Sequence, residues 1–289
     1  MRKQQIITIA GGNGKGCELN QLSGPQGIFV NEEKTVYITD FENDRIVEWK
    51  SDEKLGRILV GGNGQLNRPI DLLVDKQNNS LIISDQRNQR VIRWLNQYQQ
   101  EILIENIDCY GLTMDKLGFI YVSDYKNDQI IRLKHGEHEQ CIVAGGNGKG
   151  SELNQLNGPT FLFINENQSI YISDSSNNRV MKWKKRAKEG IIVAGGNGDG
   201  KNLNQLDNPQ GIVVDHKRRI YISDCWNNRI MCWYEESKES FILLGGNDED
   251  KKANKLSCPR GLSIDCNGNL YIVDMWNHRI IQLCKYFSD

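Results

Sequence analysis

The chain of 289 residues contains nearly the same motif of about a dozen residues several times over. The stretch YISDSSNNRVMKW at 171–183 has a close twin, YISDCWNNRIMCW, at 221–233, and a looser one, YITDFENDRIVEW, at 37–49. Aligned on its aspartate, the motif occurs six times, at intervals of 45, 39, 50, 50 and 50 residues, at Asp40, Asp85, Asp124, Asp174, Asp224 and Asp274. Regular spacing of this size indicates repeated units, each of which buries its apolar faces against its neighbours.

Each repeat contains the pattern of four short β-strands. A Pro-x-Gly-like step leads into an apolar run, as in NPQGIVVD, and a later apolar run ends in glycines, as in IIVAGGNG. In copy five, β-rich segments separated by Gly, Asn, Asp and Pro predict strands at 211–215, 220–224, 229–233 and 241–245. Four-stranded units repeated at this spacing are typical of propeller blades. We therefore expect an all-β, six-bladed propeller of four-stranded antiparallel blades.

The two ends of the chain predict how the ring of blades closes. IITIAGG, near the start, matches the fourth strand of a blade, whereas the last repeat ends after HRIIQLCKY, which matches the third strand. Residues 6–10 can therefore complete the last blade, so that the first and last segments pair in one sheet and its edge is covered. On this basis, residues 1–289 are expected to form a single six-bladed domain.

The pattern Tyr-Ile-x-Asp-x-x-Asn-x-Arg-Ile, preceded by Pro-x-Gly and an apolar strand, resembles the NHL repeat, whose members form six-bladed propellers. The resemblance covers essentially the whole chain. Copy three departs most from the pattern, with Cys109 for the proline, Gln129 for the arginine and Leu133 for the tryptophan. Copies two and four replace the glycine of Pro-x-Gly by Asp71 and Phe161.

The repeated polar residues are interpreted as structural. Aspartate and asparagine can bond the amides of a tight turn, and the arginine five residues after the aspartate can hold its carboxylate through two parallel bonds. Catalysis needs one asymmetric constellation, whereas these residues recur in the blades around a ring. The glycine-rich GGNGKG stretches are not followed by a helix that could bind phosphate. The recurring tryptophans are expected to pack between blades: Trp49, Trp94, Trp183 and Trp233.

Composition argues against several classes of partner. The 36 Lys and Arg side chains against 37 Asp and Glu give a net charge of −1, which provides no global attraction to nucleic acid or to an anionic membrane. No run approaches the ~18 apolar residues of a membrane span. The apolar run near the start of the chain is too short for the core of a signal peptide. We therefore expect a cytoplasmic protein without membrane association. The eight cysteines include no Cys-x-x-Cys pair and are interpreted as mostly reduced packing residues.

A catalytic or metal site is not expected. Propellers related to the family that this chain resembles include a zinc-dependent amidating lyase and calcium-dependent lactonases. The resemblance therefore makes a metal site worth testing, and histidines are the first candidates for its ligands. Only His135 and His138 lie close together, in the stretch LKHGEHEQ, and no third ligand is evident beside them. No Gly-x-Ser-x-Gly motif is present either. We predict a protein that is not an enzyme and that needs no metal and no cofactor.

Function is expected on one face of the propeller. We name the strands of a blade a to d in chain order and define the b–c face as the six b–c turns with the six d–a crossings between blades. Positions on this face differ from blade to blade, and aromatic and arginine side chains are concentrated there, as in protein interfaces. The predicted partner-binding residues are Phe41, Arg87, Tyr110, Tyr125, Trp226, Arg260 and Trp276. The alternative is that these side chains fold over the blade edges.

The resemblance leaves two kinds of partner open. Some NHL proteins bind RNA on a strongly basic face, and others bind proteins, in some cases within ubiquitin ligases whose RING domain lies elsewhere. The b–c face has Arg87, Lys126 and Arg260 but also Glu42. Denser basic clusters, 184–188 and 217–219, are predicted on the opposite loops. Because RNA binding needs a basic excess, we predict a monomeric scaffold that recognises a protein or peptide, with RNA as the runner-up. A role beside a RING on another chain and a lyase-like or lactonase-like enzyme are the weaker alternatives.

Overall fold

Six β-sheets surround a common axis. The computed structural model describes residues 5–96, 99–134, 136, 140–236, 239–246 and 255–284. In these ranges, 24 strands form six four-stranded antiparallel sheets. The first strand of each sheet contacts the first strand of the next sheet, and the last contacts the first, so the contacts run around a closed ring. The predicted all-β, six-bladed propeller is confirmed.

The strands are numbered along the chain. The first is β1 (Ile6–Gly11). Blade one consists of β2 (Ile28–Val30), β3 (Val36–Asp40), β4 (Arg45–Trp49) and β5 (Arg57–Gly61). Blade two consists of β6 (Pro69–Asp75), β7 (Ser80–Asp85), β8 (Arg90–Asn96) and β9 (Gln99–Glu105). Blade three consists of β10 (Cys109–Met114), β11 (Phe119–Asp124), β12 (Gln129–Lys134) and β13 (Cys141–Gly145).

The second half of the chain follows the same plan. Blade four consists of β14 (Pro159–Ile164), β15 (Ile170–Asp174), β16 (Arg179–Trp183) and β17 (Ile191–Gly195). Blade five consists of β18 (Pro209–Val214), β19 (Arg219–Asp224), β20 (Arg229–Tyr234) and β21 (Ser240–Gly245), all within two residues of the predicted bounds. Blade six consists of β22 (Pro259–Ile264), β23 (Leu270–Asp274), β24 (Arg279–Leu283) and, from the other end of the chain, β1.

The apolar core lies between neighbouring blades. Trp49 of blade one is 3% exposed and packs with Tyr271 of blade six, and Trp183 of blade four is 2% exposed and packs with Tyr121 of blade three. Trp94 and Trp233 occupy equivalent buried positions. Full burial of a large apolar side chain contributes about 1.5–3 kcal/mol, so this repeated contact is a major source of stability. The predicted role of the tryptophans in packing between blades is confirmed.

β1 closes the ring in the predicted manner. It pairs antiparallel with β24, from Ile6 opposite Leu283 to Gly11 opposite Arg279. The strand is the outermost of its sheet and covers the hydrogen-bonding edge of β24 that blade six would otherwise expose. Blade six is therefore built from both ends of the described chain.

Removal of residues 1–13 is expected to lower the melting temperature and to broaden the unfolding transition, because the edge of β24 is then unpaired. A chain that starts at Gln5 keeps β1 and serves as the matched control. Thermal melts followed by circular dichroism test this, with light scattering as a measure of aggregation. Equal melting temperatures for the full chain and the chain that starts at Gly14 would contradict the proposed role of β1.

Candidate functional site

The aspartate that ends strand b holds the b–c turn together. In blade four, Asp174 is fully buried, and its Oδ1 accepts the backbone N–H of Asn157 at 2.7 Å. Its Oδ2 accepts the Asn177 amide at 2.8 Å and the Arg179 Nε–H at 2.6 Å. Burial raises the pKa of Asp174, and these hydrogen bonds oppose the rise. The same three contacts recur at Asp40, Asp85, Asp224 and Asp274.

The arginine of the motif does not form the two parallel bonds that the sequence predicts. Only Nε of Arg179 bonds the carboxylate, while Nη1 donates to the carbonyl of Ser151 at 2.6 Å and Nη2 donates to those of Glu152 and Gln155 at 3.1 Å. These carbonyls belong to the d–a crossing that leads into the same blade. The guanidinium therefore joins turn and crossing, and Arg45 and Arg229 do the same in blades one and five.

Blade three lacks this connection. Its crossing is short, from Asn106 to Asp108, and Gln129 replaces the arginine and donates Nε2–H to Asp124 Oδ2 at 2.9 Å. Oδ1 of Asp124 is buried and has no hydrogen-bond partner among the described residues. Blades two and four keep the motif contacts although Asp71 and Phe161 replace their glycine. The changes in copy three are thus the ones that alter the turn.

A second set of hydrogen bonds joins successive blades. Each b–c turn ends in a residue with φ of 51° or 52°, the left-handed region that Asn and Asp tolerate best. In five turns the side chain of this residue accepts a backbone N–H from the crossing that enters the next blade. The pairs are Asp44 with Arg68, Asp128 with Gly158, Asn178 with Asn208, Asn228 with Cys258 and His278 with Gly24. The last pair lies at the seam where the ring closes.

The seam requires a neutral histidine. His278 Nδ1 accepts the Gly24 N–H at 3.1 Å, so this nitrogen cannot carry a proton. Partial burial lowers the pKa of His278 below its ordinary value of 6.5, although Glu42, Asp40 and Asp274 oppose this effect. The folded protein therefore takes up fewer protons at this site than the unfolded chain does as the pH falls below about 6.5.

The stability of the protein is expected to be full above pH 6.5 and to fall progressively below it, because protonation of His278 breaks the bond to Gly24. The His278→Asn variant places at the seam the residue that blades four and five use and should lose part of this pH dependence. Urea unfolding of both proteins between pH 5.5 and 7.5 measures the difference. Parallel pH profiles for the two proteins would contradict this account.

The predicted partner-binding residues fall into two groups. Trp226 and Trp276 are 64% and 62% exposed, at equivalent positions in the b–c turns of blades five and six. Their backbone N–H groups bond the crossings in the same way, to the carbonyls of Asp207 and Ser257, each at 3.2 Å. Arg87 and Tyr125 are also exposed on this face. The rim of the b–c face thus carries large side chains that no blade covers.

The other three residues lie nearer to the axis and contact neighbouring side chains. The Tyr110 hydroxyl donates to Gln210 Oε1 at 3.2 Å and accepts from Arg260 Nη1 at 3.0 Å, across blades three, five and six. Tyr110 also stacks on Tyr125, with ring centroids 5.9 Å apart. Phe41 is half-buried, with the guanidinium carbon of Arg68 5.3 Å from its ring centroid. We call Tyr110, Gln210 and Arg260 the axial plug.

The structure joins Cys225 to Cys258 by a disulfide, so the interpretation of the cysteines as mostly reduced does not hold for this pair. Cys225 lies in the b–c turn of blade five, next to Trp226, and Cys258 lies in the crossing into blade six. In blades four and five, Ser175, the equivalent of Cys225, donates its Oγ–H to the carbonyl of Pro209, the residue after the equivalent of Cys258. An alignment of the repeats could therefore have suggested this disulfide, because the two cysteines occupy positions that adjacent blades bring close together.

A cavity lies on the axis of the propeller. It has a volume of about 510 Å³, is lined by strand a of all six blades and extends to the a–b loops, at the end of the axis opposite the b–c face. Asp71 and Phe161, which the sequence marked only as departures from the repeat, both line it. The axial cavity thus lies at the opposite end of the axis from the b–c face.

The described residues offer no evident metal centre. Within them, no group of three His, Cys, Asp or Glu side chains could hold a metal ion, while His135 and His138 lie outside the described residues. Nor do these ranges contain a helix with the length and apolar character that crossing a membrane requires.

Comparisons with known proteins agree with the fold. The NHL repeat pattern matches residues 206–233 and 256–283. A protein of unknown function from Bacteroides thetaiotaomicron VPI-5482 has a TM-score of 0.77 at 16% identity, over 97% of this chain and 75% of that chain. An auxiliary nutrient binding protein from the same organism has a TM-score of 0.76 at 14% identity, over 98% of this chain and 77% of that chain.

A gluconolactonase from Xanthomonas campestris is similar as well, with a TM-score of 0.71 at 13% identity, over 97% of this chain and 89% of that chain. No curated protein matches the chain in sequence at a significant level. At these identities the likeness concerns the fold alone, and the fold hosts both binding proteins and enzymes.

Proposed function

We propose that this NHL-repeat six-bladed propeller is a non-catalytic scaffold that recognises a protein or peptide with its b–c face. The single observation that carries the proposal is the exposure of Trp226 and Trp276 at equivalent turns of adjacent blades. Both indoles are more than half exposed, whereas tryptophan is among the residues that proteins bury most strongly on average. An exposed pair of such rings on one face is typical of a partner surface.

The asymmetry of the face supports a specific partner. At the position of these tryptophans, the other four blades carry Glu42, Arg87, Lys126 and Ser176. Repeat packing does not require tryptophan at this position, because four of the six blades fold without it. Large aromatic side chains dominate interface energetics, each contributing about 2 kcal/mol or more when it fills a pocket. The tryptophans therefore suit an apolar side chain of a partner better than a structural role.

Charge on the same face favours a protein over RNA. Glu42 pairs with Lys15 at 2.8 Å, so one cation on this face is already neutralised. In the axial plug, Arg260 bonds Tyr110 through Nη1. Arg87 and Lys126 remain exposed, on separate blades. The crossings add exposed cations, but exposed carboxylates lie among them, so the face lacks the basic excess that several phosphate contacts need; the cations are Arg68, Lys149, Lys201 and Lys255, and the carboxylates include Glu18, Glu152 and Asp199.

The absence of catalysis is part of the proposal, and the commitment of the repeated carboxylates supports it. In five blades, the motif aspartate accepts hydrogen bonds from a backbone amide, an asparagine and an arginine on its two oxygens. A general acid or base must instead exchange protons with a substrate within hydrogen-bond reach. These carboxylates are buried inside turns and are not placed to do so.

The double variant Trp226→Ala, Trp276→Ala is expected to lose the specific partners that the intact protein captures from an extract of its source cells. The loss of two anchors should cost several kcal/mol and mainly speed dissociation. A matched control, Lys185→Ala with Arg218→Ala, alters the opposite loops, and all three proteins should melt alike. If the control loses the partners and the tryptophan variant keeps them, the binding face has been assigned to the wrong side.

Salt dependence separates the two classes of partner. Binding of a protein through aromatic anchors should change little between 50 and 200 mM salt, on the order of a few fold. RNA binding should weaken steeply, with a slope of about −0.7 for each neutralised phosphate. Gel-shift titration with a random single-stranded RNA pool at the two salt concentrations makes the comparison. Tight, salt-sensitive binding of that pool would reverse the assignment in favour of RNA.

A further inference from the structure

The axial cavity is apolar along its wall. Phe29, Leu73 and Phe163 come from strand a of blades one, two and four, and each side chain is half-buried although it lies at the centre of the molecule. Their exposed surface is therefore surface of the cavity. A volume of about 510 Å³ lies within the range of 300–1,000 Å³ that is typical of sites for small molecules.

The inner end of the cavity differs from blade to blade. Four blades have glycine at the third residue of Pro-x-Gly or its equivalent, and these are Gly27, Gly111, Gly211 and Gly261. A Cβ at Gly27 would lie 2.6 Å from the Ile70 carbonyl oxygen, so the strands approach too closely there for a side chain. Asp71 and Phe161 are the two exceptions. On the side of these six residues toward the b–c face, the axial plug obstructs the axis, with a hydrogen bond of 3.0 Å between Arg260 and Tyr110.

Asp71 is a buried carboxylate without a cationic partner among the described residues. It is 6% exposed, and its two oxygens accept the backbone N–H groups of Leu72 and Leu112, each at 2.9 Å. Each oxygen keeps lone-pair capacity beyond the bond it accepts. Burial raises the pKa of Asp71 to about 7 in spite of these two bonds. The negative charge is thus poorly compensated by the protein itself.

The other ionisable groups that line the cavity, within the described residues, already have partners. Lys76 pairs with Glu32 at 2.9 Å, and Lys116 pairs with Glu166 at 2.7 Å. Asp75 pairs with Arg93 at 2.7 Å, and Asp115 accepts the Tyr121 hydroxyl at 3.1 Å. A buried charge is costly until it is paired. Among the lining groups, the Asp71 carboxylate would therefore be stabilised most by an opposite charge on a ligand.

We propose that the axial cavity binds a small organic cation, an amine whose apolar body packs on Phe29, Leu73 and Phe163 and whose ammonium group pairs with Asp71. An anion is disfavoured, because Asp71 would repel it and the two lysines that line the cavity, Lys76 and Lys116, are already paired with glutamates. A neutral apolar molecule would fill the same space but leave the carboxylate uncompensated. This site is independent of the b–c face, which lies at the other end of the axis.

A fluorescent amine tests the proposal. Dansylcadaverine carries a primary ammonium group on an apolar dye, and dansylamide is the matched probe without that group. Saturable binding of dansylcadaverine at one site per chain is expected, and it should be about tenfold or more tighter than binding of dansylamide. Absence of saturable binding up to millimolar probe, or equal binding of the two probes, would overturn the proposal.

Two variants locate the binding site. Asp71→Asn removes the charge and keeps the shape, and Asp71→Gly installs the residue that four other blades use, which keeps the test informative if the asparagine variant fails to fold. Each should weaken dansylcadaverine binding about tenfold or more and leave dansylamide binding nearly unchanged. The Trp226→Ala, Trp276→Ala protein is the control and should bind dansylcadaverine as the intact protein does. Loss of the probe in that control, with retention in both Asp71 variants, would place the probe on the b–c face and overturn the proposal.

Discussion

A buried carboxylate is the constraint on which the rest of the propeller depends. In five of the six blades, one aspartate joins three segments: the b–c turn through asparagine, strand c through arginine, and the incoming crossing through a backbone amide. A buried charge that loses its partners costs several kcal/mol, so each repeat must supply all of them together. This requirement explains why the motif recurs with so little change, and it ties the path between blades to the interior of each blade.

Because the motif residues are committed to the fold, functional differences must lie where the copies depart from one another. Two such places stand out in the described residues. The second residue of the b–c turn is tryptophan only in blades five and six. The third residue of Pro-x-Gly, which lies at the axis, is aspartate only in blade two. The first departure exposes apolar surface and the second buries charge. Both run against the ordinary preferences of the side chains, which is what a site for a partner or ligand requires.

The blades, their strand bounds and the closure by β1 could be predicted because they depend on local pattern and on alignment of the copies. Contacts between distant residues could not. Arg179 was assigned to its aspartate correctly, but its carbonyl partners lie 24 to 28 residues away in an irregular crossing. Arg260 and Tyr110 are 150 residues apart and meet only because opposite blades converge on the axis. The axial cavity depends on such convergence, and no periodicity signals it. The seven candidate residues of the b–c face remain predictions.

The pairing of β1 with β24 also determines when the fold can be completed. Ile6 of β1 and its partner Leu283 of β24 are separated by nearly the whole described chain, so β1 leaves the ribosome long before its partner strand is made. Until β24 is made, β1 has no strand to pair with, and the five complete blades cannot form a closed ring. Ring closure therefore waits for the last blade and is of long range, which makes it slow compared with formation of the individual meanders. Until that blade is made, β1 is an isoleucine-rich strand without its native partner and is open to mispairing with other chains.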